Sequence, residues 1–531
     1  MRSVFRNGVV YTMDPERPVV EGFVVEDGVI VSLDAGPIEC GKMIDLRGAT
    51  VLPGVIDSHT HFVSYCSDLL AGVDVAGCDS ADEVAEAVRD ALRAGVPTRS
   101  GRWVLGGGWD KNRWSGDEFP CKDDLDSAVR DRPVALYSRD CHALWLNTAA
   151  LAEAGITRDS EAPPGGEIRR KVDGSPSGIL LDSAMELARR VISPPSEEEM
   201  LQAVREGIEL ANSLGITGIV ACEGRDAFRV LSRLAGARTP ALRTWITLPE
   251  DALDAAERIG LRRGVGNAYF SVVGLKIMLD GSLGSQTAYL EEPYEDDGGG
   301  DYRGLLLKNC TELAELVERA AALGLPSFIH AIGDAACELA ISSLERHGMG
   351  MSGHRIEHAQ LLGADHPGRM AQLGAIASVQ PAHLGDDIPL VRDHWGERGS
   401  RAYALRDLED AGVTLAFGSD VPVASMDPFQ GIARASFRPD GEEGVWHPEQ
   451  RLSISEALRA YTLGSATAVG AQDRLGSIAP GFEADFVVLR SDPNGARSFD
   501  ELAEYSVEST WVGGREVYRC PDTVLLGPGV T

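Results

Sequence analysis

Positive charge is scarce in this chain: its 531 residues carry 50 Lys and Arg against 81 Asp and Glu, a formal charge of −31. A surface of that sign repels phosphate backbones and anionic membranes and steers cationic or neutral ligands. Nucleic acid is therefore not an expected partner. No apolar run approaches the roughly 20 residues that a membrane-spanning helix needs, so no membrane partner is expected either. Residues 1–30 carry charges throughout and lack the apolar stretch of a signal peptide, which points to a cytoplasmic protein. Nine cysteines (40, 66, 78, 121, 141, 222, 310, 337 and 520) form no CxxC pair. Their odd number and wide spacing argue against a disulfide framework and for reduced, mostly buried thiols.

What is present is ample core material, with 44% hydrophobic residues. The N-terminal region reads as short strands and tight turns. Asn7-Gly8 lies between two β-favouring runs and Asp27-Gly28 between two more, both hairpin signals. Residues 481–489 and 509–518 read as strand, turn, strand again. Neither end has enough strands to bury a face alone, so the two are expected to pair in one small β domain.

The middle alternates apolar β-rich runs with amphipathic helical stretches such as 201–214 and 313–323. The eight strand candidates are residues 51–57, 218–222, 242–248, 272–280, 327–334, 355–360, 376–380 and 414–420. Eight βα units predict an α/β fold of the (β/α)8 type. The interval from about 66 to 200 is too long for one crossover and holds strand-like pieces of its own, at Trp103 and at 133–137. It is read as an inserted subdomain.

The chemistry lies at the strand ends. Asp57, His59 and His61 share parity, so a continuing strand turns them the same way, at the end where barrels carry active sites. Lys276 sits inside an apolar strand, where an ammonium needs a partner such as Asp280 or a chemical change. His330 and His358 end two further strands, and Asp420 ends an eighth. Nitrogen and oxygen donors of this kind suit Zn, with Mn, Fe or Co as alternatives. His347, His354, His366, His394 and His447 lie in polar contexts and are expected at the surface. His383, after a strand end, and His142, in the insertion, are candidates to touch substrate. The acidic, glycine-rich stretch 291–301 reads as a solvated loop.

The segments Pro53-Gly-Val-Ile-Asp-Ser-His-Thr-His61, Lys276-Ile-Met-Leu-Asp-Gly-Ser-Leu-Gly-Ser285, His330-Ala-Ile-Gly-Asp334, Arg355-Ile-Glu-His-Ala-Gln360 and Gly418-Ser-Asp-Val-Pro422 resemble the amidohydrolase superfamily. More narrowly they resemble amidohydrolase family 3, the YtcJ-like branch that includes N-substituted formamide deformylase. Gly107-Gly-Trp-Asp110 and His142-Ala-Leu-Trp-Leu-Asn147 support the match, as does the segment 476–488. The resemblance implies a distorted (β/α)8 TIM-type barrel over residues 53–474, with the inserted α/β subdomain. It also implies a composite β-sandwich from residues 1–52 and 475–531. It implies a binuclear centre, two Zn ions, with His59, His61 and Asp420 on one metal and His330 and His358 on the other. Lys276 would bridge them as an N-carboxylysine, and Asp420 would carry the proton from water to the leaving amine. Gln286 departs from the arginine and Cys141 from the glycine that many relatives carry.

The function expected is metal-dependent hydrolysis of a C–N, amide-type bond in a small molecule. The same site could serve deamination, ester hydrolysis or isomerisation, and a scaffold without catalysis is the third alternative. Trp109, His142, Asp280, Gln286, Tyr289 and His383 are the expected substrate neighbours. The only expected partner besides a small-molecule substrate is a second copy of the chain, in a homodimer.

Overall fold

The computed structural model describes residues 2–521 apart from 35–40, 70–71, 97, 99–101, 116–118, 194, 237–239, 296–299, 349 and 442–443. Its centre is a parallel sheet of eight strands that pair in chain order. They are β1 (Val55–Thr60), β2 (Ile216–Ala221), β3 (Arg243–Leu248) and β4 (Phe270–Met278), followed by β5 (Ser327–Ala331), β6 (Arg355–His358), β7 (Ile376–Val379) and β8 (Leu415–Phe417). Nearly every residue of these strands is buried, which explains why they read as unbroken apolar runs rather than alternations. All eight sequence candidates are represented, and the barrel is nearly closed.

Closure between β8 and β1 is made by hydrogen bonds just beyond β8. Ser419 gives its backbone N–H to Asp57 Oδ1 (3.0 Å) and its hydroxyl to Asp57 Oδ2 (2.6 Å). The Asp420 N–H reaches the His59 carbonyl at 2.8 Å. Gly418 permits this approach, since a Cβ there would lie 2.6 Å from the His59 nitrogen.

The strand expected over 51–57 is in fact two. Thr50–Pro53 belongs to a six-stranded sheet, and the chain passes Gly54 before β1 begins. A Cβ at Gly54 would sit 2.2 Å from Thr217 Oγ1, so only glycine lets the strand leave one sheet for the other here. The Asn7-Gly8 hairpin is likewise corrected. Arg2–Arg6 and Val9–Tyr11 join different sheets, so the turn connects the layers instead of pairing its flanks. The Asp27-Gly28 hairpin forms, with φ of 50° and 86° at its two central residues.

Strands from both ends of the chain share the six-stranded sheet, where Thr50–Pro53 pairs antiparallel with Phe486–Leu489. Between this sheet and a four-stranded one, Phe5 stacks on Phe23 (4.8 Å) and Phe486 on Trp511 (5.4 Å), with edge contacts between the pairs. The insertion forms its own six-stranded sheet from Val73–Asp74 to Pro176–Asp182. The helices expected at 201–214 and 313–323 are Glu197–Ser213 and Cys310–Ala322. Both begin with a capped polar turn that precedes the apolar stripe. In the stretch 291–301, residues 296–299 lie outside the described residues. Tyr294 before them is packed, at 4% exposure, so the stretch is not wholly solvated.

The sandwich is fastened to the barrel by Arg243 of β3. Its guanidinium forks onto the buried carboxylate of Asp485 (2.6 and 2.9 Å), which also accepts the Gly513 N–H at 2.7 Å. Removing one partner of such a pair strands the other charge in a dry site. Arg243→Met is expected to cost about 3–5 kcal/mol in urea unfolding, and adding Asp485→Asn to recover about half of it, because no buried charge then remains. Equal midpoints for wild type and Arg243→Met would show that the fork contributes nothing.

Candidate metal centre

At the C-terminal mouth of the barrel, β1 delivers His59 and the residue after its end, His61. The turn after β8 delivers Asp420 in a left-handed conformation (φ 58°). Asp420 Oδ1 lies 3.3 Å from His61 Nε2 and 3.6 Å from His59 Nε2. The ligand atoms of these three residues fall within 4.8 Å of one another. His358 closes in from β6, its ring 5.0 Å from that of His59, and His330 from β5 stands 4.4 Å from His358. Lys276 of β4, only 7% exposed, puts its Nζ 3.2 Å from His59 Nε2.

The outer nitrogens of the imidazoles are held. His59 Nδ1 meets Glu357 Oε2 at 2.5 Å, and Glu357 is gripped in turn by Arg355 (2.6 and 2.9 Å). His358 Nδ1 meets Gln380 Oε1 at 2.9 Å, and His330 Nε2 meets the Gly281 carbonyl at 3.0 Å. Such partners fix which ring nitrogen stays available.

Electrostatics favour the metal-binding forms. Burial, reinforced by Lys276, lowers the His59 imidazole to about 4, and burial holds His330 and His358 well below their usual range. Although burial opposes its ionisation, Asp420 is kept well below the usual carboxylate range by His59, His61 and His358. Neutral imidazoles facing an ionised carboxylate are what a divalent cation requires. Asp420 Oδ1 is also buried without a hydrogen-bond partner. Leaving an ionised oxygen so is costly, and a cation at this point would relieve it. The residues therefore fit a metal. His330, His358 and Lys276 border the three-residue group without belonging to it.

A pocket opens beside this group at Asp420, with Trp109, His142, Ser282, His383, Asp387 and Leu390 in its walls along with His330 and His358. Trp109, His142 and His383 thus stand where substrate neighbours were expected. Asp280 and Gln286 do not, and Tyr289 is also absent from the lining. Asp280 is fully buried and accepts the backbone N–H groups of Tyr289, Ile332 and Gly333, which makes it a brace beneath two loops. The Gln286 amide turns to His394 at 3.0 Å. Nor are all the histidines set aside for the surface found there. His354, His366 and His394 are 5%, 2% and 8% exposed. The first two accept backbone N–H groups, from Ser327 at the start of β5 and from Gly363, a role that polar neighbours in sequence conceal.

Four residues went unrecognised in the sequence. Glu357 was visible as a carboxylate in a barrel strand two residues from Arg355. Asp57 was seen as a parity mate of His59 rather than the anchor of Ser419. Asp140 joins the insertion to the loop after β4 by accepting the hydroxyls of Ser282 and Ser285, both at 2.7 Å. Asp182 holds His142 Nδ1 at 2.6 Å. Burial lowers the His142 imidazole, but Asp182, with Asp140 and Asp420, overrides this and raises it to about 9. Cys141 adopts φ 58°, a backbone region that favours glycine.

Known proteins resemble the chain over most of its length. The amidohydrolase family model matches residues 42–518. YtcJ of Bacillus subtilis, an amidohydrolase by name, is 32% identical over 540 residues, covering 98% of this chain and 100% of that protein. N-substituted formamide deformylase of Arthrobacter pascens is 28% identical over 544 residues, 96% of each chain. The crystal structure of an uncharacterized metal-dependent hydrolase from Pyrococcus horikoshii OT3 superposes with a TM-score of 0.77 at 30% identity, over 93% of this chain and 99% of that one.

Zn2+ is expected to raise the melting temperature of metal-stripped protein, since a ligand at 100 times its Kd adds about 2.7 kcal/mol. Glu357→Gln, which frees His59 Nδ1 from a charged partner, is expected to weaken Zn2+ affinity about 10- to 100-fold in a chelator competition. A melting temperature indifferent to Zn2+, or equal affinities, would count against the assignment.

Proposed function

The chain belongs to the amidohydrolase family and is a hydrolase by that membership, and from this premise we propose that it cleaves the C–N bond of a small, N-substituted amide. The observation that carries the reading is the convergence of His59 and His61 on an Asp420 oxygen that lacks a hydrogen-bond partner, with Asp420 itself in the wall of a pocket. The likeness to N-substituted formamide deformylase supports an amide as the bond class.

His59, His61 and Asp420 would hold one divalent metal, and His330 and His358 a second, with Lys276 between them as an N-carboxylysine. Zn2+ suits this donor set. When bound, the metal centre supplies polarisation of the scissile carbonyl and a lowered pKa for water. The chain's own residues do the rest. Asp420 takes the proton from the attacking water and returns it to the departing amine nitrogen, for which its ionised state prepares it. Glu357 and Gln380 keep the rings of His59 and His358 in place. The carboxylation of Lys276 removes an ammonium from a site where burial penalises it.

Elemental analysis of the purified protein is expected to find close to two metals per chain. One metal with an unmodified Lys276 in an experimental map would refute the bridge. Across a panel of N-formyl amides, N-acyl amides and esters, with products identified by mass, the amides should be cleaved fastest. Asp420→Asn should lower kcat by about 10²-fold or more with the fold intact. Preference for esters, or an active Asp420→Asn, would reject the reading.

A further inference from the structure

The insertion brings a histidine of its own to the pocket. His142 precedes the strand Ala143–Leu146 and stands in the pocket wall, its ring 5.9 Å from that of His330. Its Nδ1 is committed to Asp182 Oδ1 at 2.6 Å, so Nε2 is the ring atom left to meet a ligand. A second carboxylate, Asp140, accepts the His142 backbone N–H at 3.1 Å and the hydroxyls of Ser282 and Ser285. The ring is therefore referenced to the loop after β4 as well as to its own sheet.

Asp182 bears the marks of a residue kept for more than packing. It lies at the end of the strand Pro176–Asp182 with φ 47° and ψ −123°, a conformation that non-glycine residues rarely adopt. Its side chain is 5% exposed, and its Oδ2 is buried with no hydrogen-bond partner. Its N–H donates to the His142 carbonyl at 2.9 Å, which locks the two residues together through backbone and side chain alike. An unsatisfied oxygen on a strained residue is expensive to keep. Here it belongs to the carboxylate that orients a pocket imidazole, the arrangement that fixes a ring for work at its far nitrogen.

We propose that His142 is a catalytic residue whose Nε2 donates a hydrogen bond to the scissile carbonyl oxygen as negative charge develops on it, with Asp182 as its positioning residue. The inference rests on the hydrolase reading above. As the water oxygen bonds to the carbonyl carbon, the π electron pair moves onto the carbonyl oxygen, where His142 meets it. Collapse returns the pair, breaks the C–N bond and expels the amine, which takes the proton carried by Asp420. His142 keeps its proton throughout. The barrel thus supplies the metal side of the site, and the insertion supplies the donor beside it.

The test compares metal-loaded wild type, His142→Leu and Asp182→Asn on para-substituted N-formyl and N-acetyl anilides, together with calorimetric titration of methylphosphonate, a tetrahedral anion. Asp182→Asn preserves shape at a φ that Asn tolerates and so guards against a His142→Leu protein that does not fold. Loss of one such donor is expected to lower kcat about 10²- to 10³-fold in His142→Leu, and roughly tenfold or more in Asp182→Asn. KM should stay within about threefold of wild type, separating lost transition-state stabilisation from lost binding. Methylphosphonate affinity should fall in both variants while metal content holds. An unchanged kcat, a loss confined to KM, or unchanged methylphosphonate affinity overturns the proposal. A wild type inert towards every amide instead removes the hydrolase reading, and the methylphosphonate comparison then decides on His142 by itself.

Discussion

The buried contact between Arg355, Glu357 and His59 is the constraint around which the site is organised. All three side chains are fully enclosed, and the guanidinium also reaches the Ser58 carbonyl and the Ser378 hydroxyl, both at 2.6 Å. One cation therefore ties β1, β6 and β7 together inside the barrel while holding the carboxylate that orients His59. Face-on contact with Phe328 at 4.2 Å extends the grip to β5. Ion pairs so deep are seldom efficient stabilisers, because desolvation consumes much of the attraction. Their value here lies in direction. An aliphatic replacement could fill the same volume but could not fix the tautomer of a buried imidazole.

Much of the barrel could be read in the residues because its strands are buried on both faces. Runs such as Phe270–Met278 announce themselves without help from tertiary context, and the polar residues that interrupt or end them stand out by contrast. His59, His61, His330, His358, Lys276 and Asp420 were visible for that reason. Local patterns failed where the answer depended on a distant neighbour. Asn7-Gly8 has the composition of a hairpin, yet its flanking strands find partners in different layers. Gly54 looked like a position within one strand because nothing nearby reveals that Thr217 presses against it. Gln286, beside Gly284-Ser285, turns away to His394. Asp182 carries no signal at all, because its importance comes from meeting a histidine 40 positions earlier in the chain.

The pocket is a joint product of two parts of the chain with different internal logic. The barrel side is fixed by strands, with histidines at strand ends and their outer nitrogens held. The insertion side is fixed by turns, with Cys141 and Asp182 in left-handed backbone and Asp140 collecting hydrogen bonds across the junction from Ser282 and Ser285. This division lets the surface that meets a substrate vary without disturbing the metal-facing residues, since loops accept substitution more readily than buried strands.

The sheet shared by the two ends of the chain has a further consequence, for the order of events during synthesis. Pro53 pairs with Phe486, and the aromatic cluster that seals the sandwich needs Phe5 and Phe23 from one end and Phe486 and Trp511 from the other. Phe5, Phe23 and one edge of the strand Thr50–Pro53 are therefore among the last groups to be satisfied. They wait until the strands Phe486–Leu489 and Val507–Val512 have been made. The barrel between them must form while its neighbour is still half-made. A truncation near the C-terminus would thus leave its exposed surface at the opposite end of the chain.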